Sequence, residues 1–235
     1  MALQIHVLFP TAVATAQLML DPLELAAQLQ TLLMLRGADE GNPSPGCAWT
    51  GDLNGVWQLH RHPDFSGLTD LVVEQAWAYL SAVGFERSSV ALHVQRCWPV
   101  LSDWDQVVGR HHHPNAHLSA VLYLSGSGSG EEGVLRIHAP SQPNELVPGS
   151  AAGHGGPIAA GHPLNQPHWD LAPQSGLLVL FPSRLEHSVL ANGDPELLRC
   201  SISFDFVLTA PVDGDAPEYL APHPSHWAAQ VSQAT

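Results

Sequence analysis

The sequence predicts a mainly β protein with flanking helices. Three observations lead there. From about residue 88 onward, short runs rich in Val, Leu, Ile and Phe alternate with turn-rich segments, the rhythm of an all-β architecture. Helical periodicity is confined to two stretches in the first third of the chain. The run 199–206 alternates polar and apolar residues with a period of two, as a strand lying between two different environments does.

Taken in order, Ile5-His-Val-Leu-Phe9 reads as a short strand. Asp21-Pro22-Leu23-Glu24 is a helix start, with a capping Asp, Pro at the first helical position and Glu at the third. Leu25, Leu29, Leu32 and Leu33 then recur at helical spacing to about Arg36, and Gly37 ends the helix. Residues 38–56 are rich in Gly, Asn, Pro and Asp and read as a loop. A second helix is expected from about Leu68 to Val83, closed by Gly84. Strands are expected at 89–97, 118–124, 133–138, 177–181, 187–190 and 199–208. Two connections stand apart: the Gly/Ser tip 125–133, and the long Pro- and Gly-rich segment 139–168. Both suggest lids or substrate walls. One domain is expected over 1–235: a helical and loop region (1–88), a β core (89–208) and a peripheral tail (209–235).

Composition narrows the chemistry. The chain has 235 residues, a formal charge of −14, and eight basic residues that are all Arg. Without Lys there is no Schiff-base lysine, no pyridoxal phosphate anchor and no P-loop lysine. The acidic balance argues against nucleic acid and against an anionic membrane surface as partners. Cys47, Cys97 and Cys200 form no CxxC pair and are odd in number, which suggests reduced thiols and a cytoplasmic location. No apolar run is long enough to span a bilayer.

The densest chemical feature is Arg110-His111-His112-His113-Pro114, just ahead of the strand at 118–124. On an extended chain His111 and His113 point to one side and His112 to the other, so the first two can chelate one metal ion. His187, at the entrance of a later strand, is the candidate third ligand. In 199–206, Arg199, Ser201 and Ser203 share the polar face. Arg199 offers a planar fork to a carboxylate, and Ser201 a hydroxyl beside it.

These segments carry a resemblance. His111-x-His113-Pro-x-x-x-Leu-Ser-Ala-Val-Leu-Tyr-Leu, Gly176-Leu-Leu-Val-Leu-Phe-Pro-Ser-x-Leu-x-His187 and Arg199-x-Ser-Ile-Ser-Phe together resemble the iron(II)- and 2-oxoglutarate-dependent oxygenases. The similarity is to a bacterial and phage branch with an HxHP motif, and covers about residues 98–206. The resemblance implies a double-stranded β-helix (a jelly roll, or cupin-like barrel) and Fe(II) and 2-oxoglutarate as cofactors. It implies His111, His113 and His187 as metal ligands and catalytic centre. Arg199, Ser201 and Tyr123 fall where the cosubstrate is held. It further implies hydroxylation of a C–H bond of a small molecule, amino acid or peptide by O2, with release of succinate and CO2. One departure matters: His113 stands where the superfamily has a carboxylate. Asp170, in His168-Trp169-Asp170, is too close in sequence to His187 to replace it.

Two rivals remain. A cupin-type three-His iron dioxygenase would need no cosubstrate, although His117 and Arg184 stand near the places of the cupin Glu and second Gly. A metal- or ligand-binding barrel without turnover is the other. A homodimer is among the expected partnerships of the chain.

Overall fold

The computed structural model describes residues 3–37, 45–150 and 156–228. In chain order its elements are β1 (Ala14–Gln17), α1 (Pro22–Gly37), β2 (Trp49–Thr50), α2 (Ser66–Ala82), β3 (Ala91–Ser102), β4 (Val108–His111), β5 (Leu118–Tyr123) and β6 (Leu135–His138). They are followed by β7 (His168–Leu171), β8 (Leu177–Pro182), β9 (His187–Val189) and β10 (Arg199–Thr209). The strands form a six-stranded sheet, β1-β8-β5-β10-β3-β2, and a four-stranded sheet, β4-β9-β6-β7. Neighbouring strands are antiparallel throughout. This is the two-sheet jelly roll, mainly β with helices on the outside, that the sequence predicts.

Helix α1 starts where its cap sequence requires: Asp21 Oδ1 accepts from the backbone N–H of Leu23 at 2.9 Å and of Glu24 at 3.1 Å. α2 lays Leu68, Val72, Ala76 and Leu80 on the larger sheet, against Leu118, Ala120, Leu122, Leu178 and Leu180. The even-numbered side chains of β10, Cys200, Ile202, Phe204, Phe206 and Leu208, belong to that same helix-covered core. The odd-numbered ones therefore face the space between the two sheets. Because both faces are covered, β10 is buried at ten of its eleven positions.

The structure corrects the sequence reading at three places. Residues 5–9 form no strand: Ile5, Val7, Leu8 and Phe9 are exposed, and Phe9 takes a positive φ of 57° that breaks an extended run just before Pro10. The edge strand comes later, as β1, pairing Ala14–Gln17 with Leu177–Leu180 of β8. Second, part of 38–56 is ordered secondary structure: β2 pairs with β3, and a 3-10 turn follows at Gly51–Asn54; residues 38–44 lie outside the described part. Third, β4 and β7 were not expected at all. The first 88 residues thus contribute two strands to the larger sheet. Among the described residues no helix is long and apolar enough to cross a membrane.

Candidate metal and cosubstrate site

β4 and β9 are hydrogen-bonded neighbours, and their register puts His111 directly opposite His187. The chain then leaves β4, and His113 is tied to the turn after β8 by its N–H donating to the Ser183 carbonyl at 2.9 Å. The result brings the three rings together. Their centroids lie 4.3 Å (His111–His187), 5.0 Å (His113–His187) and 5.2 Å (His111–His113) apart. One nitrogen from each lies within 4.8 Å of the others, and no other such group of ligating side chains occurs among the described residues. His112 is exposed, on the other side, as strand alternation requires.

The tautomers follow from the hydrogen bonds. His111 Nδ1 faces the Gly109 carbonyl at 2.7 Å, His187 Nδ1 the Leu185 carbonyl at 2.9 Å, and His113 Nδ1 the Asp205 carboxylate at 2.6 Å. Each acceptor needs a proton on Nδ1, which leaves all three Nε2 atoms as bare lone pairs. Nitrogens sharing one ion at about 2.1 Å each are at most about 4.2 Å apart, so ring movements on the order of an ångström close the set. The donor set fits a divalent first-row metal.

Two of these rings, His187 and His111, resist protons. Burial pushes the His187 imidazole down to about 3, helped by the neighbouring His111, and burial lowers His111 as well. In the unfolded chain His187 titrates near the ordinary 6.5. Between these values the unfolded state holds a proton that the folded state does not. Stability is therefore full above pH 6.5 and is lost as pH falls toward 3. For metal-free protein this contributes a slope approaching about 1.4 kcal/mol per pH unit. Urea unfolding from pH 7.5 down to 4.5 is expected to show it, and His187→Gln to flatten it. Equal slopes in the two proteins would contradict the assignment.

Deeper between the sheets, a cavity of about 460 Å³ runs from the three histidines to Tyr123, Arg199, Ser201 and Ser203, with Val121, Leu135 and Val189 as apolar walls. Register explains the grouping: Ser201 pairs with Tyr123 of β5, and Arg199 with Ser102 of β3. Arg36, Arg96, Arg110 and Arg136 pair with Asp103, Asp52, Glu186 and Asp170. Arg199, only 2% exposed, has neutral partners instead. Its Nη1 donates to the Glu132 carbonyl at 2.9 Å and the Leu190 carbonyl at 3.1 Å, and its Nη2 to Ser102 Oγ at 2.5 Å. A buried cation without a counter-ion is costly unless an anion joins it. The Tyr123 hydroxyl, also buried and lining the cavity, has no hydrogen-bond partner. Burial raises its pKa to about 12, so it remains a donor. Together they offer an unpaired cation and a spare O–H donor to one carboxylate.

The loop at 125–133 contributes to this seat. Glu132 is buried, and its carboxylate accepts from the Ser127 N–H at 2.7 Å and from Ser129 Oγ at 3.3 Å. Gly133 has φ +82°, and a Cβ there would meet the Leu190 carbonyl at 2.3 Å and Arg199 Nη1 at 2.6 Å. Gly133→Ala is therefore expected to destabilise the protein by at least about 1–2 kcal/mol from the left-handed backbone alone. It is also expected to displace the guanidinium. Thermal unfolding and 2-oxoglutarate binding are the measurements, and an unchanged affinity would contradict the seating role.

Other residues singled out in the sequence lie elsewhere. Asp170, on β7, is held by Arg136 at 2.7 Å through two hydrogen bonds. His117 is exposed, and its Nδ1 accepts from the Leu208 N–H, so it is not a fourth ligand of the cupin kind. The sequence reading missed Asp205, Ser119 and Ser183, which gather behind His113, and Ser102 and Gly133, which seat Arg199. The signal for Asp205 was present: it continues the odd-numbered face of β10 that holds Arg199, Ser201 and Ser203.

The inner face of this jelly roll thus sets three convergent imidazoles beside a buried arginine, an arrangement able to hold a divalent metal next to an anion. Residues 96–205, a little under half of the chain, match the profile of a family described as "Putative 2OG-Fe(II) oxygenase". A search of curated proteins gave no match. Solved structures share the fold. A Pseudomonas putida prolyl-4-hydroxylase is 19% identical with a TM-score of 0.52, over 84% of this chain and 92% of its own. HygX from Streptomyces hygroscopicus, with nickel and 2-oxoglutarate bound, is 16% identical with a TM-score of 0.53, over 90% and 85%. The α-ketoglutarate-dependent carbocyclase SnoK from nogalamycin biosynthesis is 14% identical with a TM-score of 0.57, over 85% and 82%.

Proposed function

We propose that the protein is an Fe(II)- and 2-oxoglutarate-dependent dioxygenase that hydroxylates a C–H bond of a small molecule, amino acid or peptide. His111, His113 and His187 hold the iron through Nε2. Arg199, Tyr123 and Ser201 hold the far carboxylate of 2-oxoglutarate. The carrying observation is that three bare Nε2 lone pairs and an unpaired buried guanidinium share one cavity.

Bound Fe(II) supplies the redox chemistry: O2, 2-oxoglutarate and R–H are converted to R–OH, succinate and CO2. This chain's residues bind, orient and exclude. The Nδ1 bonds to Gly109, Leu185 and Asp205 aim the three rings. Arg199 and the Tyr123 hydroxyl neutralise and orient the cosubstrate carboxylate, and Val121, Leu135 and Val189 keep water away from it. The mouth, between Asp52, Leu53, Arg96 and Trp98, is left for the substrate. An unpaired arginine favours this reading over a cupin dioxygenase, which has no anionic cosubstrate to place there.

The test is anaerobic addition of 2-oxoglutarate to the Fe(II)-loaded protein, followed by admission of air. A metal-to-ligand absorption band and then succinate are expected. Absence of both would overturn the proposal.

A further inference from the structure

We propose that Asp205 is a positioning residue for the metal set. It is a carboxylate outside the ligands that fixes His113 and supplies the negative charge three imidazoles lack. The inference rests on the metal reading above. Asp205 lies on β10 and is 1% exposed. Its Oδ1 faces His113 Nδ1 at 2.6 Å and accepts from Ser119 Oγ at 2.8 Å. Ser119 Oγ is itself 3.1 Å from His113 Nδ1 and 2.8 Å from Ser183 Oγ. The strands that meet here are far apart in sequence, so the cluster is a product of the fold.

Two features make this more than a structural hydrogen bond. The other two histidines direct Nδ1 to backbone carbonyls, which fix a ring at no electrostatic cost. Only His113 is backed by a charged group. That carboxylate has no arginine to offset its burial: its register partner Arg96 turns away to Asp52 and stacks over Trp98. Its Oδ2 has no hydrogen-bond partner. A buried, half-satisfied carboxylate is unfavourable by itself. A dication on the far side of the His113 ring offsets that cost, and the carboxylate in turn makes the imidazole a stronger donor. His113 occupies the position where a carboxylate would have ligated directly. The site thus retains one negative charge, moved from the metal's ligand shell to the residue behind it.

The experiment measures Fe(II) affinity by anaerobic calorimetry, together with melting temperatures with and without the metal. Asp205→Asn keeps an oxygen for the ring and removes the charge. It is expected to weaken Fe(II) binding by about tenfold or more. Its metal-free melting temperature is expected to hold or rise. A purely structural residue would do the reverse, lowering the metal-free melting temperature and leaving the affinity within twofold; that result overturns the inference. A second comparison does not depend on Asp205→Asn alone. His113→Asp sets two buried carboxylates against each other, so His113→Asp with Asp205→Asn is expected to bind Fe(II) more tightly than His113→Asp by itself. A double variant that binds no more tightly also overturns it. Wild-type protein that fails to bind Fe(II) overturns the metal reading, and this inference with it. Wild type that binds while Asp205 is indifferent overturns this inference only.

Discussion

Arg199→Ala is expected to weaken 2-oxoglutarate binding by about 100- to 1000-fold. The estimate comes from the 2–5 kcal/mol typical of truncating one side of a buried, hydrogen-bonded charge pair, at about 1.4 kcal/mol per tenfold. Fe(II) affinity is expected to change little, because Arg199 bonds to Glu132, Leu190 and Ser102 rather than to any histidine. The substitution also strips donors from those acceptors, so stability must be followed beside binding. Arg199→Lys separates the effects. It keeps the charge, yet a point ammonium cannot reach the carbonyls on one side and a carboxylate on the other. It is expected to fall between wild type and Ala. Calorimetric titration with 2-oxoglutarate on the metal-loaded protein is the measurement. Wild-type affinity in Arg199→Ala would remove the cosubstrate from this seat and revive the cupin alternative.

His187→Ala is expected to lower metal affinity by about 100-fold or more, and turnover with it, since one of the three proposed ligands disappears. The metal-free protein is expected to tolerate the change within about 1–2 kcal/mol. The reason is local: without an ion, the buried His187 ring has one good hydrogen bond, to the Leu185 carbonyl, and its other nitrogen faces two more imidazoles. The clearest readout is the rise in melting temperature on adding Fe(II) without oxygen, which mass action ties to affinity. Wild type should show it and His187→Ala should not. An equal rise in both would place the ion elsewhere.

What the sequence disclosed and what it hid have separate physical causes. β10 was legible because its two faces meet different surroundings, helix-backed core on one side and cavity on the other. α1 was legible from a local cap, Asp21. β4 and β7 were not, because Val-Gly-Arg-His has no alternation and the four residues of His-Trp-Asp-Leu are too few to establish a period; they are strands because β9 and β6 pair with them. Residues 5–9 misled for the opposite reason: they have strand composition but no partner in the sheet. The three histidines could be chosen from spacing and strand context. The place of Asp205 on the polar face of β10 was legible too, but its meeting with Ser119 and His113 was not, since that depends on which strands lie side by side.

The alternation of β10 also governs the thiols. Cys200 lies on the helix-covered face, and Cys97, on β3, is packed in the same core. Burial pushes Cys200 up to about 11 and Cys97 higher still, so neither is a thiolate at neutral pH. They are shielded from oxidants by the sheet itself. Cys47 alone is exposed, and it bridges to Val107 at the foot of the strand that ends in His111. The native protein should therefore take up one equivalent of a maleimide dye and the denatured chain three. That gives the laboratory a single, self-selected attachment point beside the start of β4.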